Sequence, residues 1–154
     1  MREIKIEQLG LDRLDTLLKW RMEVIRCVFS LPEGIDISDL YDENAAYYRR
    51  EIPAGGHIAC LAMAGDQEIG TGGLCLHEEM PSPDNPSGRC AYLMNIYIRD
   101  TWRGMGVGKR MVRTLVGLAL ERGITKIYLE TSESGRNLYE SVGFREMNDM
   151  LQLR

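Results

Sequence analysis

The sequence predicts one α/β domain, a mixed central sheet of about seven strands flanked by about four helices. Three observations predict it. Segments with two-residue apolar alternation are interleaved with segments whose apolar residues recur every three to four positions, the patterns of half-buried strands and amphipathic helices. The run Cys90 to Ile98 is so apolar that it reads as a central strand buried on both faces. It leads through a glycine-rich turn and a long helical stretch into a second apolar run, Lys126 to Glu130, making a crossover between parallel strands. Finally, 154 residues with 44% hydrophobic and 27% charged suffice for one ordinary domain, 1–154, and no linker, repeat or low-complexity tract divides it.

Each element has its own signal. Glu3 to Gln8 alternates as a first strand, and Leu14, Leu17, Leu18, Met22, Ile25 and Val28 trace one helical face between Leu11 and about Phe29. Pro32 and Gly34 end that helix, and a second is expected from about Leu40 to Arg50, with Ser38 or Asp39 near its start. Pro53-Ala-Gly-Gly56 leads into strand His57 to Ala64, and Gly65-Asp66 reads as a hairpin turn into a third strand, Glu68 to Leu76. Gly70, Gly72 and Gly73 within it suggest a bulge or a close backbone approach. Three prolines make Met80 to Gly88 a loop before the fourth strand. Val107, Met111, Leu115, Leu118 and Ala119 line the inner face of the third helix, which Gly123 closes. After the fifth strand come a short helix from about Gly135 to Val142, capped by Gly143, and a terminal hairpin ending in Met150 to Leu153.

Composition excludes several classes. Cys27, Cys60, Cys75 and Cys90 are irregularly spaced with no CxxC pair, and only His57 and His77 could join them, so a metal site is not expected. Reduced thiols, an amino terminus without a signal-peptide core and the absence of an apolar run near the roughly 20 residues of a membrane span point to a cytoplasmic protein with no membrane partner.

The most informative stretch is Asn95 to Lys109, where an apolar strand ends and a glycine-rich turn opens into a helix. The first backbone N–H groups of a helix have no intrahelical partner, the macrodipole adds partial positive charge, and glycines let a phosphate approach. From Arg99 to Arg113, Arg99, Arg103, Lys109, Arg110 and Arg113 stand against one acid, Asp100, so that segment carries +4 in a chain of net charge −4. A basic island on an acidic chain suits a compact polyanion, with pyrophosphate the expected group, better than a nucleic acid. A P-loop fails twice, for Arg103 stands where glycine is needed and Arg110 where Ser or Thr is needed. The dinucleotide fingerprint read from Gly106 and Gly108 meets Met111, and read from Gly104 and Gly106 meets Lys109.

The pattern that fits is Arg103-x-x-Gly106-x-Gly108, and with the downstream Leu138-Tyr139-x-x-x-Gly143-Phe144 the chain resembles the GNAT superfamily of acetyl-CoA-dependent N-acetyltransferases over nearly its whole length. Met80 to Asn95 and the run Ser132-x-Ser134-Gly135-Arg136-x-Leu138-Tyr139 are also similar to a subgroup of small bacterial GNAT proteins. The resemblance implies that the fourth and fifth strands splay and that acetyl-CoA, as co-substrate, lies in the gap. Its pyrophosphate would rest on Arg103, Gly104, Met105, Gly106, Val107, Gly108 and Lys109, its pantetheine arm on the backbone of Ile96 and Ile98, with Ser134 and Arg136 contributing. It also implies that Tyr139 is the proton donor to the departing thiolate, although an aromatic packed beside Leu138, Val142 and Phe144 would look the same in sequence. Related folds often pair, so a homodimer is compatible with the resemblance.

Acetyl transfer needs a neutral amine, and a lysine-like ammonium at pH 7 is deprotonated only about once in 2,500, a penalty of about 4.6 kcal/mol. The leaving thiolate resembles that of cysteine, and a phenol is an adequate donor to it. The base is open. Asn95 is the lone amide in its apolar strand and would orient substrate or a water, while Glu79, with His77 and Glu78, lies where a substrate-side base could sit. An ordered water could relay the proton instead, and Tyr92 could contribute to the pocket or, as a strand aromatic, belong to the core. Glu33, Asp36, Asp39, Asp42 and Glu43 form a stretch that would attract a cationic amine or complement a helix dipole. The expected acceptor is thus a small-molecule or peptide amine transformed by direct attack; the alternative is a catalytically silent acyl-CoA sensor or interaction module, and the acyl chain could be longer than acetyl.

Overall fold

The computed structural model describes residues 2–147 and 149–154. Strands β1 (Ile4–Leu9), β2 (His57–Ala64), β3 (Gln67–Glu78) and β4 (Arg89–Ile98) pair antiparallel in chain order, and β5 (Lys126–Leu129) joins β4 in parallel. The parallel pair is linked by α3 (Val107–Glu121), the expected crossover. α1 (Leu14–Val28) and α2 (Ser38–Ala54) lie between β1 and β2 in sequence, and α4 (Arg136–Val142) follows β5.

Strand β2 displays the logic of the layers. Ile58, Cys60, Ala62 and Ala64 join a cluster with Val107, Met111, Leu115 and Ala119 of α3, whereas Ala59 and Leu61 join Leu17, Leu18, Trp20, Ala45 and Tyr48 of α1 and α2. Successive side chains point to opposite faces of a strand, so a strand between two helical layers must be apolar throughout. Close approach is purchased with small residues: a Cβ on Gly72 would come within 2.9 Å of the Met111 side chain, and one on Gly70 within 2.7 Å of the Tyr97 carbonyl oxygen.

Several expectations need correcting. The sheet has five strands, because among the described residues no strand follows β5; residue 148, within the expected terminal hairpin, lies outside them. Leu151 and Leu153 of that segment are fully exposed, and an edge of only four residues in β5 offers little to pair with. β4 is fourth of five rather than central, and only its first half, Cys90 to Leu93, is paired with β5. Helix α2 runs past Pro53 to Ala54, since one lost hydrogen bond in a last turn is tolerated when the end is well closed. Gly55, left-handed at φ 79°, closes it with Gly55 N donating to Ile52 O and Gly56 N to Glu51 O. Among the described residues no helix is long and apolar enough to cross a membrane.

Because β5 leaves β4 after Leu93, the second half of β4 forms one wall of an open cleft. Residues 130–135 and α4 form the other wall, the start of α3 closes one end and α1 the far side.

Candidate active site

The cleft encloses about 920 Å³. At one end the chain leaves Ile98, makes a short 3-10 turn over Asp100–Trp102 and enters α3 through Gly104 and Gly106, both left-handed at φ 77° and 81°. Only glycine adopts that backbone freely, and no atom lies within 4 Å of where either Cβ would sit, so the space above the turn is open. The first intrahelical bond here is Arg110 N to Gly106 O, and no side chain caps the helix. The N–H groups of Val107, Gly108 and Lys109 therefore face the cleft end without an intrahelical acceptor. The third glycine has another purpose. A Cβ on Gly108 would stand 3.3 Å from Leu138, so its smallness sets how closely α3 and α4 pack.

Midway along the cleft β4 bulges. Met94 pairs with Gly73 and Tyr97 with Thr71, so Asn95 and Ile96 stand opposite Gly72 alone. The extra residue here is on β4; the irregularity expected near the β3 glycines is also present, since Ala62 pairs with Gly70 and Met63 with Glu68, which leaves Ile69 as an extra residue on β3. Asn95 takes φ 63°, a left-handed conformation that Asn tolerates better than most residues. Its Oδ1 accepts from Arg21 Nη1 at 3.0 Å, and Arg21 Nε donates to Asn44 Oδ1 at 3.1 Å. A guanidinium only donates, so both amide oxygens must face it. Asn44 then turns its nitrogen to Leu40 O at 2.7 Å.

Tyr139 of α4 lines the same cleft beside Gly135, Leu138 and Thr131. Its ring meets Phe144 edge to face at a centroid distance of 6.1 Å, so it is both a packed aromatic and a cleft residue. Burial raises its phenol above the ordinary tyrosine value, which keeps it protonated at neutral pH. On the opposite wall Tyr92 is pushed up to about 12 by burial and by its hydrogen bond to Glu130.

A glycine-rich helix start, a splayed strand pair and a half-buried phenol around one cleft are matched by what the sequence is similar to. The family model described as the Acetyltransferase (GNAT) family matches residues 19–144. The chain belongs to the GNAT family. Rat N-acetyltransferase 8B is 28% identical to this GNAT chain over 131 residues, covering 82% of the chain and 51% of the relative. Glucosamine 6-phosphate N-acetyltransferase of Trypanosoma brucei brucei is 24% identical over 123 residues, 80% of the chain and 81% of the relative. A solved structure of a predicted acetyltransferase with acetyl-CoA from Clostridium acetobutylicum superimposes with a TM-score of 0.87 at 26% identity, covering 99% of this chain and 96% of that one. The GNAT chain spans about half the length of the first curated relatives it matches.

Of the residues singled out in the GNAT sequence, Asn95, Ile96, Ile98, Arg103, Gly104, Gly106, Val107, Gly108, Lys109, Ser134 and Tyr139 line this one cleft. Arg103 hydrogen-bonds Ile98 O at 2.9 Å, pairs with Asp100 and lies 5.6 Å from the Tyr97 ring centroid. Met105 is in the loop but exposed outside the lining. Arg136 is not part of the cleft lining and is held by Glu133, Glu140 and Glu146. Arg99, counted in the basic island, is taken in bidentate fashion by Glu23 at 2.8 and 3.0 Å and lies 4.3 Å over Trp20. Glu79 is not brought to the cleft. Glu78 pairs with Arg89, six residues and roughly 20 Å of strand from Asn95, and Glu79 itself grips Lys126 at 2.9 Å. That hydrogen bond lowers its carboxyl. His77 contacts Tyr128 at 3.1 Å.

Sequence reasoning missed Arg21 and Glu130, both of which line the cleft. A signal for Arg21 existed. It stands in the stripe of Leu17, Leu18 and Ile25 on α1, where a charge has no structural reason to be.

Proposed function

We propose that this chain is an N-acetyltransferase that moves the acetyl group of acetyl-CoA to a primary amine by direct attack. The observation that carries the reading is the shared lining of one cleft by unpartnered N–H groups of α3, the unpaired half of β4 and the Tyr139 phenol. Phosphates suit the helix start, the unpaired strand suits an extended arm, and the phenol suits a departing sulfur. The GNAT family match and the acetyl-CoA bound by the Clostridium acetobutylicum protein support the choice of donor.

In this reading Lys109 and the N–H groups of Val107, Gly108 and Lys109 hold the diphosphate, so that binding energy spent far from the reacting atoms positions the thioester. The amine nitrogen attacks the carbonyl carbon, the carbon–sulfur bond breaks, and Tyr139 gives its proton to sulfur. The nitrogen loses a proton to solvent, and Tyr139 regains one, so the sum is amide plus free thiol. Glu130, the one carboxylate in the cleft lining among the described residues, is the candidate to relay that proton to solvent, directly or through water.

Free-thiol release from acetyl-CoA across a broad amine panel tests the reaction. Release with any amine, absent without protein, is the expected result; binding of acetyl-CoA by calorimetry with no release would leave a silent binder instead. No heat of association with acetyl-CoA or CoA would remove the whole reading.

A further inference from the structure

The middle of the cleft holds a positive charge that, among the described residues, forms no salt bridge. Arg21 emerges from the apolar face of α1 and is half-buried, yet its guanidinium reaches the cleft. Its two hydrogen-bond partners, Asn95 and Asn44, are neutral amides. Among the described residues no carboxylate forms a salt bridge with it, whereas neighbouring Arg99 is neutralised by Glu23 and Arg103 by Asp100. Two of the five guanidinium donors are used, which leaves one N–H on Nη1 and both on Nη2 for a ligand. Such donors suit the oxygens of an oxyanion.

Glu130, the carboxylate that lines the cleft, forms no salt bridge with Arg21 and has Tyr92 as a hydrogen-bond partner, and the groups packed behind Arg21 supply no negative charge. Tyr47, His57 and Cys75 form a hydrogen-bonded knot, with Tyr47 Oη 2.9 Å from His57 Nδ1 and 3.1 Å from Cys75 Sγ, and Tyr48 packs edge-on against His57. Burial raises Tyr47 and Cys75, lifts Tyr48 to about 12 and presses His57 down to about 4, so all four are neutral at pH 7. Glu51, the acid beyond them, is paired with Arg50 at 2.9 Å. The acids expected to draw in a cation, Glu33, Asp36, Asp39, Asp42 and Glu43, are exposed and none lines the cleft.

Position decides what the charge serves. Asn95, which holds Arg21, is three residues from Ile98, about 10 Å along the strand from the end where the glycine turn begins. Arg21 is thus remote from the phosphate end and beside the stretch of β4 where an acyl group would stop. We infer that the acceptor is an amine that also carries an oxyanion, a carboxylate or a phosphate, and that Arg21 is the specificity residue that binds it. This inference rests on the acetyl-transfer reading for the direction of the cleft.

Matched acceptors that differ only in the oxyanion test it. Amino acids are compared with their amides, and phosphoethanolamine with ethanolamine, the two arms separating carboxylate from phosphate. Thiol release is expected to favour the anionic member of at least one arm tenfold or more in kcat/KM. Arg21→Gln should erase that preference, and Arg21→Lys, which keeps the charge, should retain part of it and guard against a fault in folding. Neutral members used as well as anionic ones overturn the inference, as does a preference that survives in Arg21→Gln. A readout independent of turnover is calorimetric binding of the N-acetylated products to the CoA-loaded protein. Charged products should bind at least tenfold more tightly to the wild type than to Arg21→Gln, and equal affinity, or none, overturns the inference. If that pattern holds while no amine releases thiol, the anion site stands and acetyl transfer fails; thiol release without dependence on charge is the converse.

Discussion

At the α3 end of the cleft the groups offered to a ligand are backbone N–H donors of consecutive residues, Val107 to Lys109, on a turn that two left-handed glycines shape. In the middle of the cleft they are side chains, Arg21, Asn44 and Asn95, drawn from two helices and a strand across up to 74 positions of sequence. A site made of backbone is insensitive to most side-chain changes near it but intolerant of a lost glycine. One made of side chains reverses this, because each substitution changes its chemistry while leaving the chain path intact. One end thus suits a constant ligand and the other a ligand that varies between proteins of the same fold.

The largest effect should come from the residue beside both regions. Tyr139→Phe is expected to lower turnover by about 100-fold or more while acetyl-CoA affinity changes by less than threefold, a split that pre-steady-state kinetics and calorimetry read together. Unchanged turnover would remove Tyr139 from the chemistry and leave it as packing against Phe144.

A break confined to the backbone-built end is next. Gly106→Val forces a β-branched residue into φ 81° and should cost roughly 100-fold in acetyl-CoA affinity through a reshaped turn. Retained affinity would show that the helix start does not hold the coenzyme.

The side-chain-built end is sharpened by two substitutions at Asn95. Asn95→Gly keeps the left-handed backbone but drops the amide on Arg21, whereas Asn95→Val strains the bulge. Urea unfolding should find the valine variant about 2 kcal/mol less stable than the glycine variant. Comparable stability would mean that the bulge relaxes on substitution.

The smallest effect is a pH dependence behind Arg21. His57 is neutral in the fold at about 4 and titrates at about 6.5 when unfolded, so the unfolded chain binds more protons between these values. Stability from this residue is complete above pH 6.5 and declines as pH falls towards 4. Between pH 7 and pH 5 it should account for about 2 kcal/mol of lost unfolding free energy, which His57→Asn would remove. A wild type and variant that lose stability in parallel would show that His57 is not the group concerned.

Legibility followed the same division. The Arg103 to Gly108 turn and the crossover helix are local, and spacing over six residues carried both. Alternation, continuous apolar runs, helical periodicity and the capping or breaking residues between them together located all five observed strands and all four helices, because burial on one or two faces writes itself into composition. The Arg21 to Asn95 contact was invisible, for nothing local to either residue encodes the other, although an arginine inside an apolar helical stripe was a clue. Glu79 misled for the same reason: its partner Lys126 is 47 positions away, and a strand-end acid looks the same paired or free. A terminal hairpin ending in Met150 to Leu153 was expected, but apolar residues there report a face that could be buried, not the presence of a partner to cover it.

Gly108 has one further consequence. With no side chain between α3 and Leu138, the start of α3 and the helix bearing Tyr139 abut directly, so in the proposed reaction donor anchorage and proton delivery would share one packed unit. On that proposal a bulkier residue there would shift the phenol and the coenzyme together, whereas exchanges at Arg21 or Asn44 would change the acceptor and leave that unit intact.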